Sequence, residues 1–514
     1  MFMMVTGLVL IMCGISGFIY TPFDFIMRER LRMLPGLPPF DWWKNPPDEV
    51  LLKVYIFNVT NSQEYLNGNT TVLKFDEVGP FVFREKLRHT NVTFNGNGTL
   101  TYTAHRSAIF LPELSSNLTL DVKLIAPNLA LLGGASFLSD YSFITKLGFN
   151  LIIRRLSPSP FVEITANDYM WNWTDPLVGV AKKLMPHLVP VENLGILDTV
   201  YADFVDEVTV YMGPGSDRKF FLIDKFHGTS RLGWWPSEKC DSAVNSTEGV
   251  AYPQFLTRND TIRYLRKTIC RVANLHWKKD VVQNSLNAYR FELPEDTFHR
   301  PKDPKDDCFT LPKDKPLPSG IADVSPCYYN FPIGISLPHF YGGSEDLMKQ
   351  LKIEGLKASK EKHGSYVIVE PVGRSSSLEP SRFTLIEEKN RNKINSQRAE
   401  SITGIPMESR ARSQCNLIVK SMSGFPENLQ KFSNVIIPMF WLEYGQVGLP
   451  WYVKYLLYFV VLFIPAIQHW MSFFTVVVGA AFLYYGLSSH FNYFYRRFVY
   501  KYHKSEKSSL GYFR

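Results

Sequence analysis

The chain of 514 residues is poor in the features that enzymes and metal proteins rely on. It has six cysteines and no Cys-x-x-Cys spacing, which leaves a redox motif or a zinc ribbon without support. It lacks Gly-x-Ser-x-Gly, His-Glu-x-x-His and any glycine-rich phosphate loop. The nearest approach, Gly228-Thr229-Ser230-Arg231-Leu232, ends in leucine where the nucleophile elbow needs glycine. Its 11 histidines are scattered, and a lone one such as His339 reads as structural. The acidic pair Asp306-Asp307 sits among prolines and lysines and reads as solvated. No catalytic residue, metal ligand or cofactor is expected.

Charge is also scarce and unevenly placed. Charged residues make up 20% of the chain, and the formal net charge is +8. Beyond Phe491, Arg496, Arg497, Lys501, Lys504, Lys507 and Arg514 face Glu506 alone, so most of the excess lies in a tail. A nucleic-acid partner needs a basic face on a folded domain and is excluded. Residues 1–23 carry no charged side chain and no small-x-small cleavage site, which predicts an uncleaved N-terminal transmembrane helix. Arg28, Arg30 and Arg32 follow it on the side where positive charge is disfavoured, partly offset by Asp24 and Glu29. Residues 456–490 form a juxtamembrane segment and a second span, cleanest at 470–489. Aromatic and basic residues follow it, as on a cytoplasmic side. Residues 452–464, set off by Pro465, read as interfacial or packed against protein. Residues 491–514 are then a basic cytoplasmic tail.

What is abundant lies between the spans. Asn58, Asn69, Asn91, Asn97, Asn117, Asn172, Asn245 and Asn259 all stand in Asn-x-Thr with no proline at x. Such a set places residues 24–455 outside the cell or in a lumen, as a glycosylated ectodomain. Cys240, Cys270, Cys308 and Cys327 fall close together in that region. In an oxidising compartment they suggest two disulfides, with three connectivities open.

Short strand-like runs at 50–59, 72–75, 81–83, 208–212, 220–226 and 366–369 are bounded by Gly, Pro and Asn. Residues 24–34 read as a helix ended by Pro35-Gly36. Within 140–156, Phe143, Leu147 and Leu151 share a helical face; within 175–188, Leu177, Ala181, Leu184 and Leu188 do. Residues 123–138 are apolar all round until Gly133-Gly134 interrupts them. These patterns predict a β-rich domain with a helical insert before residue 190.

Six segments in this order resemble the class B scavenger receptor family over nearly the whole chain. They are Tyr55-Ile56-Phe57-Asn58-Val59-Thr60-Asn61, Glu77-Val78-Gly79-Pro80-Phe81-Val82-Phe83, Asn172-Trp173-Thr174-Asp175-Pro176-Leu177, Thr268-Ile269-Cys270-Arg271, Ile335-Ser336-Leu337-Pro338-His339-Phe340 and Ile436-Ile437-Pro438-Met439-Phe440-Trp441-Leu442. The resemblance implies an α+β membrane protein. Its ectodomain would be β-barrel-like, with an apical helical bundle at about 123–190 and an internal hydrophobic tunnel, between N- and C-terminal transmembrane helices. It also implies the pairings Cys240–Cys308 and Cys270–Cys327, with Cys415 left as a free thiol. A third bridge of the family has no counterpart here, nor do its palmitoylated cysteines near the cytoplasmic ends.

The same resemblance puts Lys146, Arg154, Arg155, Lys182 and Lys183 on the ligand-receiving helices, as a cationic mouth for anionic lipids or lipoprotein surfaces. The competing reading is a solvated face, since Asp140, Glu163, Asp168 and Asp175 nearly balance the charge. The expected function is a plasma-membrane receptor with both termini cytoplasmic. It would bind lipids (fatty acids, sterols, carotenoids or pheromones) or lipoprotein-like carriers and pass hydrophobic cargo to the membrane. The alternative is a sorting or lipid-export receptor of endosomal or lysosomal membranes, for which Tyr495-Arg496-Arg497-Phe498 is a candidate tyrosine signal. Residues 372–401, rich in Ser, Arg, Glu, Lys and Asn, interrupt a family motif and read as an inserted polar loop.

Overall fold

The computed structural model describes residues 2–19 and 35–509, apart from 37, 47–49, 185, 187–188, 190, 203–204, 213–218, 254–255, 284–285, 311–315, 370–405, 447, 449 and 460–462. The expected helix at 24–34 and the polar loop at 372–401 lie outside the described residues. The chain divides into two compact units. One is residues 40–449; the other joins 1–39 with 450–514.

Along the chain run strands β1 (Val50–Val59), β2 (Leu73–Phe94), β3 (Thr99–Phe110), β4 (Lys123–Pro127), β5 (Phe161–Thr165), β6 (Asp206–Tyr211), β7 (Ile223–Phe226) and β8 (Thr261–Arg266). They continue as β9 (Arg271–Gln283), β10 (Leu286–Glu292), β11 (Ala322–Asp323), β12 (Ile333–Ser336), β13 (Ile353–Glu354), β14 (Tyr366–Val369), β15 (Pro406–Val419) and β16 (Val435–Gln446). The helices used below are α1 (Phe2–Ile19), α2 (Phe143–Leu156), α3 (Pro176–Leu184) and α4 (Ile464–Ser509).

Among the described residues one sheet holds the order β7-β6-β3-β2-β1-β16-β15-β14-β10-β9-β8, while β4 and β5 pair separately. Its centre is an antiparallel trio in which β16 pairs with both β1 and β15. β1 follows the apolar run read from the sequence and buries Leu52, Val54, Ile56 and Phe57. The two runs expected at 72–75 and 81–83 are one strand of 22 residues. A bulge opposite Val54 and Ile56 carries β2 past Gly79-Pro80. A side chain at Gly79 would lie 2.8 Å from the Val54 carbonyl, so only glycine permits that approach.

Gly133-Gly134 does not break the apolar segment before it. Helical structure continues through Leu129–Gly133 and Gly134–Leu138. The ring of Phe331 fills the space beside Gly133, where an added Cβ would lie 2.2 Å from it.

In the terminal unit α1 packs against α4 with small residues at the seam. A Cβ on Gly7 would meet the Gly479 carbonyl at 2.7 Å, and one on Gly479 would meet the Ile11 backbone nitrogen at 2.8 Å. Close approach through small residues holds apolar helices together where the hydrophobic effect between them is weak. Within α4, Ile467–Val499 is long and apolar enough to cross a membrane. At 46 residues the helix rises about 70 Å, roughly twice the ~30 Å hydrocarbon core. The segment before it, read as interfacial, contains a short helix, Trp451–Tyr458.

Candidate functional site

In the larger unit α2 and α3 roof a cavity of about 670 Å³, within the size range of ligand pockets. α2 starts where the Ser142 hydroxyl accepts a hydrogen bond from the Thr145 amide at 3.3 Å. α3 starts at Pro176, whose missing N–H suits a first helical turn, with Asp175 Oδ1 accepting from the Leu177 amide at 2.8 Å. The walls come from Ile152 and Phe149 of α2 and from Leu177, Val178 and Ala181 of α3. The floor comes from β12, β15 and β16 through Ile333, Cys415, Met439 and Phe440. Few polar side chains reach the lining. Water there lacks hydrogen-bond partners, and apolar surface gains by displacing it.

The apolar stripe read on α2 faces outward. Phe143 is 73% exposed, Leu147 46% and Leu151 61%, while Phe149 and Ile153 are the buried pair. The helix is apolar on both faces, and Leu151 and Ile144 sit at the rim of the cavity. α3 behaves similarly: Leu177 is buried and Leu184 exposed.

None of the five cations expected at the mouth lines the cavity. Lys146 is half-buried, with its ammonium 5.9 Å from the centre of the Phe425 ring. Arg154 and Arg155 are exposed in the last turn of α2, where positive charge suits the helix dipole. Lys182 pairs with Glu192 at 3.1 Å, and Lys183 is exposed. The lining is carried by apolar residues, among them Leu151, Leu177 and Ala181 of the two helical stripes and Met439 and Phe440 of a family segment, none of which was expected as a site residue. Cys415, read as a free thiol, is unpaired and stands in the cavity floor. Burial pushes its pKa up, so it remains a neutral thiol.

The structure joins Cys240 to Cys308 and Cys270 to Cys327, with Cα–Cα distances of 6.0 and 6.3 Å. Seven sequon asparagines are exposed. Asn58 differs: it is half-buried within β1, and its side-chain oxygen accepts from the Ile125 amide at 2.8 Å.

His339 is buried and bonded at both ring nitrogens. The Lys357 amide donates to Nδ1 at 2.9 Å, so Nε2 carries the proton and donates to Glu77 Oε2 at 2.6 Å. Burial works against charge on Glu77, but hydrogen bonds from His339 and Trp441 outweigh it and hold its pKa below the ordinary carboxylate value. His363 stacks on His339 at 4.3 Å. These groups tie strands together and do not line the cavity. Among the described residues no cluster of His, Cys, Asp and Glu could hold a metal ion.

Residues 5–373 and 396–490 match the CD36 family. The chain is 29% identical over 427 residues to scavenger receptor class B member 1 of Rattus norvegicus, covering 82% of this chain and 75% of that protein. It is 26% identical over 489 residues to the Bos taurus protein of the same name, covering 93% and 86%. It is 24% identical over 421 residues to lysosome membrane protein 2 of Homo sapiens, covering 82% and 79%.

Proposed function

The chain belongs to the CD36 family, and on that premise we propose that it binds lipids or lipid carriers and passes hydrophobic cargo through its ectodomain to the membrane. As a member it is a membrane receptor and not an enzyme. The observation that carries the proposal is the apolar cavity of about 670 Å³ beneath α2 and α3. Burying a long acyl or polyene chain there removes apolar surface from water at about 25 cal/mol per Å². The exposed Phe143, Leu147 and Leu151 give a landing surface beside its rim. Fatty acids, sterols, carotenoids and pheromones all fit this chemistry, delivered free or on lipoprotein-like carriers.

Filling the cavity tests the reading. A Cβ at Gly148 would meet nothing within 4 Å, and Ala181 lines the wall. Gly148→Trp and Ala181→Trp are expected to reduce lipid uptake by cells at least tenfold, with carrier binding and surface expression unchanged. Uptake at the wild-type rate in both variants would refute it. A second reading, a lipid-export or sorting receptor of endolysosomal membranes, draws on the similarity to lysosome membrane protein 2. Surface biotinylation separates the two.

A further inference from the structure

The floor of the apolar cavity continues along β15 and β16 toward a second, polar chamber. Cys415 pairs with Phe440 in the cavity floor; the next rungs on that face are Ser413 with Leu442, Ala411 with Tyr444 and Ser409 with Gln446. Side chains two apart on a strand share a face. The last two rungs line a chamber of about 680 Å³. Six residue steps lead from Ser409 to Cys415, about 20 Å along the strand, comparable to an extended long acyl chain. The small side chains of Ser409, Ala411 and Ser413 border a further space of about 60 Å³ in the same region.

This chamber has the opposite chemistry. Among the described residues, Arg84, Lys86, Arg88, Arg106 and Arg266 line it against the carboxylates Glu85 and Glu248. Both carboxylates are engaged within the protein. Glu85 accepts from the Tyr201 hydroxyl at 2.9 Å and pairs with Arg106 at 3.7 Å. Glu248 accepts from the Tyr102 hydroxyl.

Arg266 is held in a fixed pose. Its Nε donates to Thr268 at 3.0 Å and its Nη1 to the Tyr264 hydroxyl at 3.3 Å, while its plane lies 4.0 Å from the centre of the Tyr444 ring. Its Nη2 is buried with no hydrogen-bond partner among the described residues. A buried guanidinium edge without an acceptor is unfavourable, and the same residue borders the chamber, where an oxyanion would meet it together with the other arginines and the lysine of the lining.

We propose that the chamber is a binding station for the anionic head of an amphiphile, carboxylate or phosphate, whose tail extends along the β15–β16 row toward the apolar cavity. The proposal rests on the reading of that cavity as a lipid site, and it adds a polarity: head on Arg266, tail toward α2 and α3.

The test uses the full chain in neutral detergent micelles, with labelled palmitate and labelled hexadecanol, which share a tail and differ in charge. Arg266→Gln is expected to weaken palmitate binding by about tenfold, the loss of one charge-assisted hydrogen bond, and to leave hexadecanol unchanged. Arg266→Lys should retain most of the palmitate affinity. An equal loss for both probes would overturn the station and leave Arg266 as a wall residue; undiminished palmitate binding would overturn it too. If wild-type protein fails to bind hexadecanol, the cavity reading fails, and charge-dependent palmitate binding still supports the station. Competition by inorganic phosphate against palmitate in wild type but not in Arg266→Gln supports the site with a free anion as sufficient occupant. Charge discrimination without such competition assigns it to the lipid head group. Should Arg266→Gln not fold, the exposed rim variant Lys86→Gln with Arg88→Gln serves instead. It should weaken palmitate but not hexadecanol at low salt, and parity between the probes would overturn the proposal.

Discussion

Acidification should destabilise this fold through His363, and the size of the effect can be worked out from its surroundings. The side chain is 3% exposed, and its Nδ1 accepts from the Ser359 amide at 3.0 Å, closing the short helix Lys360–His363. Protonation would turn that acceptor into a donor facing a donor, beside Arg412, Lys362 and the stacked His339. Burial first, then the stacked His339 beside it, pushes the pKa down to about 4. A histidine whose folded pKa is depressed stabilises the fold above its unfolded value near 6.5, and that stability is lost as pH falls toward 4. Between pH 7.5 and 5 the loss is about 2 kcal/mol for this side chain. His89, buried and also pushed down to about 4, adds a loss of the same sign. Glu77 is ionised throughout that window and contributes little. In His363→Asn the side-chain oxygen can still accept from Ser359 but does not titrate. Guanidinium unfolding of the detergent-solubilised chain at both pH values should show the wild type losing about 2 kcal/mol more than the variant. An identical pH difference in the two proteins would refute the reasoning.

Three further outcomes are expected. Asn58→Gln should leave the glycosylated mass unchanged, because its amide is tied to Ile125 inside a strand, whereas Gln at any of the seven exposed sequons removes one glycan by mass spectrometry. Replacing Cys240 or Cys308 by Ser should have matching effects, and so should Cys270 and Cys327, each losing about 4 kcal/mol in the chain-entropy account of loops of 68 and 57 residues. Non-reducing peptide mapping that found Cys240 joined to Cys270 would contradict this. Arg154→Glu with Arg155→Glu should weaken capture of anionic ligands more at low salt than at 0.1 M, where screening acts over roughly 10 Å. Unchanged capture at low salt would make these arginines a solvated face.

Much of the molecule is written locally. The uncharged first residues and the apolar stretch at the other end specify terminal helices, because a bilayer selects on length and composition alone. β1 was legible as an apolar run and β14 as a short one, and the order of six segments was sufficient to indicate the family. β15 was not legible, since its sequence is polar. It lies in the interior because Arg412 pairs with Glu443 of β16 at 2.6 Å and Asn416 donates to the Ser336 hydroxyl of β12 at 3.1 Å. Partners that distant in sequence leave no local signature.

The site shows the same division. Sequence placed α2 and α3 and their cations and grouped Phe143, Leu147 and Leu151 on one face of α2, without saying whether that face turns inward or, as the structure has it, outward. Apolar residues recur on more than one side of that helix, between its cations, so periodicity does not say which side meets the strands. The cavity exists because β12, β15 and β16 arrive beneath those helices from far along the chain, and the chamber because β2, β3, β8, β15 and β16 meet around it. An enclosed space is a property of surfaces brought together, and only the tertiary structure decides where they fail to touch.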